Sequence, residues 1–169
     1  MNAATRLKPV IALAMGDPAG ISPELTAKIA ALDEVRGAAR LVIIGDKRVF
    51  DAGAAVAGIA VDADVVGPSD ALPAAGDRPV FVDLAHLDPA TIARGVASRE
   101  GGAFALANYR HALQMVKAGK ADAVCFTPFN KQAMRLADAS YDDEIGFTAG
   151  VLGTSGPATE FNILEGLWN

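Results

Sequence analysis

Val10-Ile11-Ala12-Leu13-Ala14-Met15-Gly16-Asp17-Pro18-Ala19-Gly20-Ile21-Ser22-Pro23-Glu24-Leu25 is the segment from which the architecture can be read. The apolar run Val10 to Met15 has the length and character of a buried strand. After it come two glycines, a proline and an acid, then Ser22-Pro23-Glu24, a helix start with serine as N-cap and proline at the first helical position. Strand, glycine-bearing loop and helix N-terminus is the arrangement with which α/β proteins hold an anion at the strand's carboxyl end. The loop is neither G-x-G-x-x-G nor a phosphate loop ending in Gly-Lys-Ser/Thr. A tight strand-to-helix turn that needs glycine for its backbone angles fits the same spacing.

Short apolar runs alternate with helical stretches along the rest of the chain. Strands are expected at Val10–Met15, Leu41–Gly45, Val80–Asp83, Ala123–Thr127 and Phe161–Leu164. Helices are expected at Pro23–Leu32, Lys47–Ala57, Arg99–Lys117, Lys131–Ala137 and Phe147–Leu152. This alternation predicts a three-layer α/β fold with a mostly parallel sheet. The Arg99–Lys117 helix is the clearest: Ser98 caps it, Leu106, Tyr109, Leu113 and Val116 form one stripe, and Gly119 ends it. Segment 66–79 reads as a loop, and the chain shows neither an internal repeat nor a low-complexity tract.

Composition narrows the function. Of the 169 residues, 51% are hydrophobic and only 6% aromatic, which suits close helix-on-sheet packing. The net charge of −5 without a lysine or arginine cluster argues against nucleic-acid and anionic-membrane partners. Apolar runs of about six residues fall far below the ~20 that span a bilayer. Met1 to Lys8 lacks the apolar core of a secretion signal, and a lone cysteine, Cys125, fits a reducing cytoplasm. Its place in the apolar run Ala123 to Phe126 predicts a buried, inert thiol. Trp168, one residue from the end, suggests either a docked tail or one part of a longer protein.

A second polar cluster, Thr127-Pro128-Phe129-Asn130-Lys131, follows the run Ala123 to Phe126. Thr127 offers a hydroxyl, Asn130 a donor and an acceptor, and Lys131 a mobile positive charge suited to a phosphate or carboxylate. Asn130 is equally suited to cap the next helix, and Lys131 to stand solvated in its first turn.

Taken with Gly16-Asp17-Pro18-Ala19-Gly20-Ile21-Ser22-Pro23-Glu24 and Ser98 followed by Gly101-Gly102-Ala103, this cluster resembles the 4-hydroxythreonine-4-phosphate dehydrogenase family of vitamin B6 biosynthesis. Order and separation match over essentially the whole chain. The resemblance implies a homodimeric, NAD- and divalent-metal-dependent enzyme (Zn, Mg or Co) with a two-domain fold similar to isopropylmalate dehydrogenase. Such an enzyme oxidises the secondary alcohol of a small phosphorylated hydroxy acid, and the keto acid formed loses carbon dioxide. Asp17, Thr127, Asn130 and Lys131 would line the substrate cleft.

Two departures qualify that expectation. Family members are about twice this length, which makes residues 1–169 a single α/β unit, roughly the N-terminal half. Their three metal-binding histidines fall beyond Asn169. His86 and His111 match none of these and read as ordinary surface or edge residues, so no metal site is expected within the chain and no activity from it alone. Secondly, where biosynthetic members carry Gly-His-Thr-Glu, with His and Thr on the substrate, this chain has Asp143-Glu144-Ile145-Gly146. Glu144 would repel a substrate phosphate and Ile145 lacks a hydroxyl. A dihydrodiol or a phosphorylated sugar acid then becomes an alternative substrate. Asp142, Asp143 and Glu144 also fit a solvated acidic turn. A non-catalytic binding or dimerisation module is the alternative from outside the enzymes.

Overall fold

A computed structural model describes residues 8–74 and 76–154. Strand β1 (Val10–Ala14) leads into helices α1 (Ser22–Ala31) and α2 (Asp33–Ala38), then β2 (Arg40–Gly45), α3 (Lys47–Ala57), β3 (Asp64–Val66) and β4 (Val80–Asp83). A single 3-10 turn at Pro89–Thr91 precedes α4 (Arg99–Lys117), β5 (Ala123–Phe126), α5 (Lys131–Ala137) and α6 (Glu144–Leu152). The strands form one sheet in the order β3-β4-β2-β1-β5. Every neighbouring pair is parallel. All strands therefore deliver their carboxyl ends to one edge, where the following loops gather.

Both faces of the central strands are covered, which is why β1 and β2 read as unbroken apolar runs rather than alternating ones. Leu13, Met15, Ile43 and Phe81 face a layer built by Ala27, Ala30, Val49, Phe50 and Ala54 of α1 and α3. On the other side, Ala12, Ala14, Val42, Ile44, Val80 and Val82 meet Tyr109, Ala112 and Leu113 of α4. The small side chains of β1 let α4 lie close to the sheet. Three layers result, as the alternation of apolar runs predicts.

The structure corrects several local expectations. Ser22 is the first residue of α1 and not its N-cap, a position held by Ile21 without a side-chain cap; the serine hydroxyl is drawn to bonds beneath the loop. The helix at 33–38 was not expected because it buries no residue and so carries no apolar stripe. Strand β3 is three residues long with Val65 52% exposed, too short and too open for a period-2 signal. Helix α6 begins at Glu144, not Phe147, because Asp143 caps it: its Oδ1 accepts from the Gly146 N–H at 2.7 Å.

Cys125 is exposed rather than buried. It lies in register with Leu13, on the face that α1 and α3 cover. Among the described residues β5 is the last strand in the sheet order, and most of its side chains stand uncovered. An apolar run thus signals burial on both faces only in a central strand. The expected strand Phe161–Leu164 lies outside the described residues. Among the described residues, no helix is long and apolar enough to cross a membrane.

Candidate active site

The loops after β1 and β5 meet backbone to backbone. Asp17 N–H donates to the Pro128 carbonyl at 2.9 Å. Gly16 N–H donates to Ser22 Oγ at 2.7 Å and to Thr127 Oγ1 at 3.0 Å. The Ser22 and Thr127 hydroxyls bond each other. Thr26 Oγ1 lies 3.2 Å from Thr127 Oγ1 and donates to the Ser22 carbonyl at 2.8 Å. A methyl group at Gly16 would stand 2.2 Å from the Pro128 carbonyl oxygen, so only glycine permits this approach. From α4, the fully buried Asn108 donates through Nδ2 to the Met15 carbonyl at 2.9 Å and so fixes the end of β1.

Side chains meet above this floor. Asn130 Nδ2 donates to Asp17 Oδ2 at 3.1 Å, while Asp17 Oδ1 accepts from the Ala19 N–H at 2.9 Å. Asn130 Oδ1 accepts from the Ala133 N–H at 3.2 Å, so this residue caps α5 and bridges to Asp17 at once. Lys131 Nζ, on the next residue, pairs with Glu144 Oε2 at 3.0 Å. Burial tends to raise the Glu144 pKa, but hydrogen bonding to Lys131 and other neighbours holds it below the usual carboxylate range. Close by, the Tyr141 hydroxyl is buried and has no hydrogen-bond partner among the described residues. Burial, then the Glu144 charge, pushes its pKa above the ordinary tyrosine value.

The expected residues are thus distributed unequally. Asp17, Asn130, Lys131 and Glu144 lie along one junction at the carboxyl edge. Thr127 is 1% exposed, and its hydroxyl is committed to the floor. Ile145 is half-buried one residue further into α6, beyond the Lys131–Glu144 pair. The amides of Gly16, Asp17 and Ala19 all donate to protein acceptors, so the loop has the hydrogen bonding of a tight turn. His86 sits in an exposed loop with its ring stacked on Phe104 at 4.9 Å, and His111 is half-buried on α4. Among the described residues, no three His, Cys, Asp or Glu side chains gather in a way that would hold a metal ion.

Two cavities flank the junction without including Asp17, Asn130 or Lys131. One, of about 250 Å³, lies between α1, α3 and the 89–94 loop, with Arg94 paired to Glu24 at 2.7 Å on its wall. The other, of about 360 Å³, is lined by Arg110, Tyr141 and Phe147.

Ser22, Thr26, Asn108 and Tyr141 were not singled out from the sequence as parts of this junction. Two signals were available. Thr26 follows Ser22 at i+4, on the same helical face. Asn108 interrupts the buried stripe of a long helix, where an amide needs a specific partner.

A parallel sheet covered on both faces, with loops from separate strands joined at its carboxyl edge, defines an α/β protein of the doubly wound class. Residues 37–168 match the family of the pyridoxal phosphate biosynthetic protein PdxA, and the chain belongs to that family. It is 60% identical over 163 residues to a Rhizobium meliloti (strain 1021) protein provisionally named 4-hydroxythreonine-4-phosphate dehydrogenase 2, covering 96% of this chain and 47% of the relative. The chain spans about half the length of the curated relatives it matches. In fold it is similar to the crystal structure of a 4-hydroxythreonine-4-phosphate dehydrogenase from Burkholderia phymatum (TM-score 0.78, 24% identity, 89% of this chain and 46% of that one). It is also similar to a terephthalate 1,2-cis-dihydrodiol dehydrogenase from Burkholderia xenovorans LB400 (TM-score 0.68, 29% identity, 86% and 41%).

Proposed function

We propose that this chain supplies one wall of the substrate cleft of a cytoplasmic, homodimeric dehydrogenase. The full-length protein would oxidise the secondary alcohol of a phosphorylated hydroxy acid, 4-hydroxythreonine 4-phosphate or a close analogue, with NAD and a divalent metal, and the product would decarboxylate. The observation that carries this reading is the bond between Asn130 and Asp17, which joins two loops at the strand carboxyl ends in a chain of this family. Relatives named for phosphorylated substrates support it.

On this reading Asn130 and Asp17 orient each other and present the remaining lone pairs and N–H of their side chains to substrate hydroxyls. Thr127 acts from below, by holding the loops together. The described residues do not fit a metal: they bring no sufficient donor set together. Nor do the loop amides at 16, 17 and 19 form a free cradle for a dinucleotide phosphate, since each is already bonded. On this reading both groups would be held by residues beyond those described.

A second reading, a dihydrodiol or phosphorylated sugar acid as substrate, is favoured by Glu144, which places a carboxylate beside Lys131. Fold likeness extends to a dihydrodiol dehydrogenase, and fold does not choose between substrates. The test is NAD reduction by the full-length protein against phosphohydroxythreonine, a cis-dihydrodiol and a sugar-acid phosphate. Turnover that EDTA abolishes and divalent metal restores is expected. A folded, metal-loaded protein inert toward all three would refute the dehydrogenase reading and leave the binding module.

A further inference from the structure

We propose that Glu144 cancels the charge of Lys131 at the cleft wall, so that this wall receives an uncharged, hydroxyl-bearing part of the substrate and not its phosphate. The inference deepens the function proposed above and rests on Lys131 being part of that cleft.

Three observations carry it. First, Lys131 Nζ and Glu144 Oε2 stand 3.0 Å apart, with the lysine side chain 52% and the glutamate 23% exposed. A lysine so paired presents no net charge to an arriving anion. Secondly, Glu144 is not a loose surface acid. It opens α6, which Asp143 caps and which docks on α4: the Phe147 ring stacks on Tyr109 at 5.5 Å, Arg110 lies over the same ring at 4.9 Å, and the Tyr109 and Thr148 hydroxyls bond at 2.6 Å. The acid is therefore held at its station by a packed helix. Thirdly, the Tyr141 hydroxyl is buried beside Glu144, whose charge acts on it, and among the described residues it makes no hydrogen bond of regular geometry.

Together these groups form a set of donors and acceptors of near-zero total charge. Lys131 keeps N–H groups beyond the one on Glu144, Glu144 keeps acceptor lone pairs, and Tyr141 adds a hydroxyl. Such a set hydrogen-bonds the alcohol groups of a diol or hydroxy acid. A phosphate placed there would meet the Glu144 carboxylate at close range, with the cation bonded to it, Lys131, already paired.

The test is calorimetric titration of full-length protein with inorganic phosphate, which needs no turnover. Glu144→Gln and Glu144→Ala, shown to be folded by thermal melts, should each bind phosphate about tenfold more tightly than the parent. The gain should vanish in the Lys131→Met/Glu144→Gln double variant. Lys131→Met alone should weaken phosphate binding, because it leaves the Glu144 carboxylate without its counter-charge. Parent-like affinity in both folded Glu144 variants would overturn the proposal. So would a gain that survives loss of Lys131, or tighter phosphate binding in Lys131→Met alone. The predicted phosphate affinities in a protein inert toward every substrate would refute the dehydrogenase reading and leave this one standing.

Discussion

Gly16→Ala is the most direct probe of how the two loops are joined. A Cβ at this position would lie 2.2 Å from the Pro128 oxygen, 2.3 Å from the Thr127 oxygen and 2.7 Å from the Pro128 carbonyl carbon. All three are backbone atoms, so no rotamer change relieves the clash. Reaching an ordinary contact of 3.4 Å requires the loops to part by about 1 Å. Asp17 N–H, now 2.9 Å from the Pro128 oxygen, then loses its bond, and the Gly16 bond to Thr127 goes with it. Overpacking costs about 1–3 kcal/mol and each lost hydrogen bond about 1 kcal/mol, so the substitution should destabilise by about 3–5 kcal/mol. Gly37→Ala is the control: nothing lies within 4 Å of its Cβ, and alanine should be neutral or stabilise the helix by up to ~1 kcal/mol. Urea denaturation followed by circular dichroism reads both. If Gly16→Ala falls within about 1 kcal/mol of the parent, the loops are not packed as described and the argument for their convergence fails.

Two further outcomes follow from buried polar groups. Thr127→Val keeps the shape but removes one of two acceptors of the Gly16 N–H and a partner of the Ser22 and Thr26 hydroxyls; it should cost about 1–3 kcal/mol in urea, with Thr127→Ser recovering most of it. Asp46 accepts from the Arg48 side chain and from the Leu87 and Arg48 N–H groups, and although burial opposes ionisation these bonds lower its pKa from 3.8 to about 2. A depressed folded pKa contributes stability that is present above 3.8 and lost as pH falls toward 2. Acid denaturation of the parent should show this loss, and Asp46→Asn, already lacking the charge, should show a shallower slope between those values; equal slopes would contradict the assignment.

Much of the scaffold was legible because covered central strands leave a one-dimensional trace. Runs such as Val10–Ala14 and Leu41–Gly45 are apolar throughout because both of their faces are covered. Helix α4 was legible for the complementary reason: its cap, stripe and terminal glycine are all local, and Ser98 Oγ does accept from the Gly101 N–H at 3.0 Å. Elements that bury little left no trace, which is why α2 and β3 were missed. Cys125 is not buried because β5, though written in the same apolar letters as β1, is the last strand of the sheet among the described residues. The junction was half legible. That Asp17 and Asn130 lie near one another followed from parallel strands sharing an edge, and the structure brings them within bonding distance. That Ser22 turns inward, or that Lys131 finds Glu144, depends on a helix docking across the chain, and no local spacing encodes it.

The committed amides and the pairing of cations lead to one consequence for recognition. Loops that hold phosphates do so with backbone N–H groups left free and with unpaired basic side chains. Here Gly16, Asp17 and Ala19 spend their N–H groups within the fold. Lys47 and Arg48 after β2, Arg94 in the loop before α4 and Lys131 after β5 are each paired with an acid: Asp51, Asp46, Glu24 and Glu144. Each of these basic groups is thus matched by an acid, and Asp17 adds a further carboxylate to the edge. Holding two loops in register has absorbed the groups that would otherwise attract an anion. On the proposed reading, a phosphorylated substrate would draw its counter-charges from other residues, and this wall would position the neighbouring hydroxyl groups. On the proposed reading, substrate choice on this wall would turn on whether position 144 carries a charge.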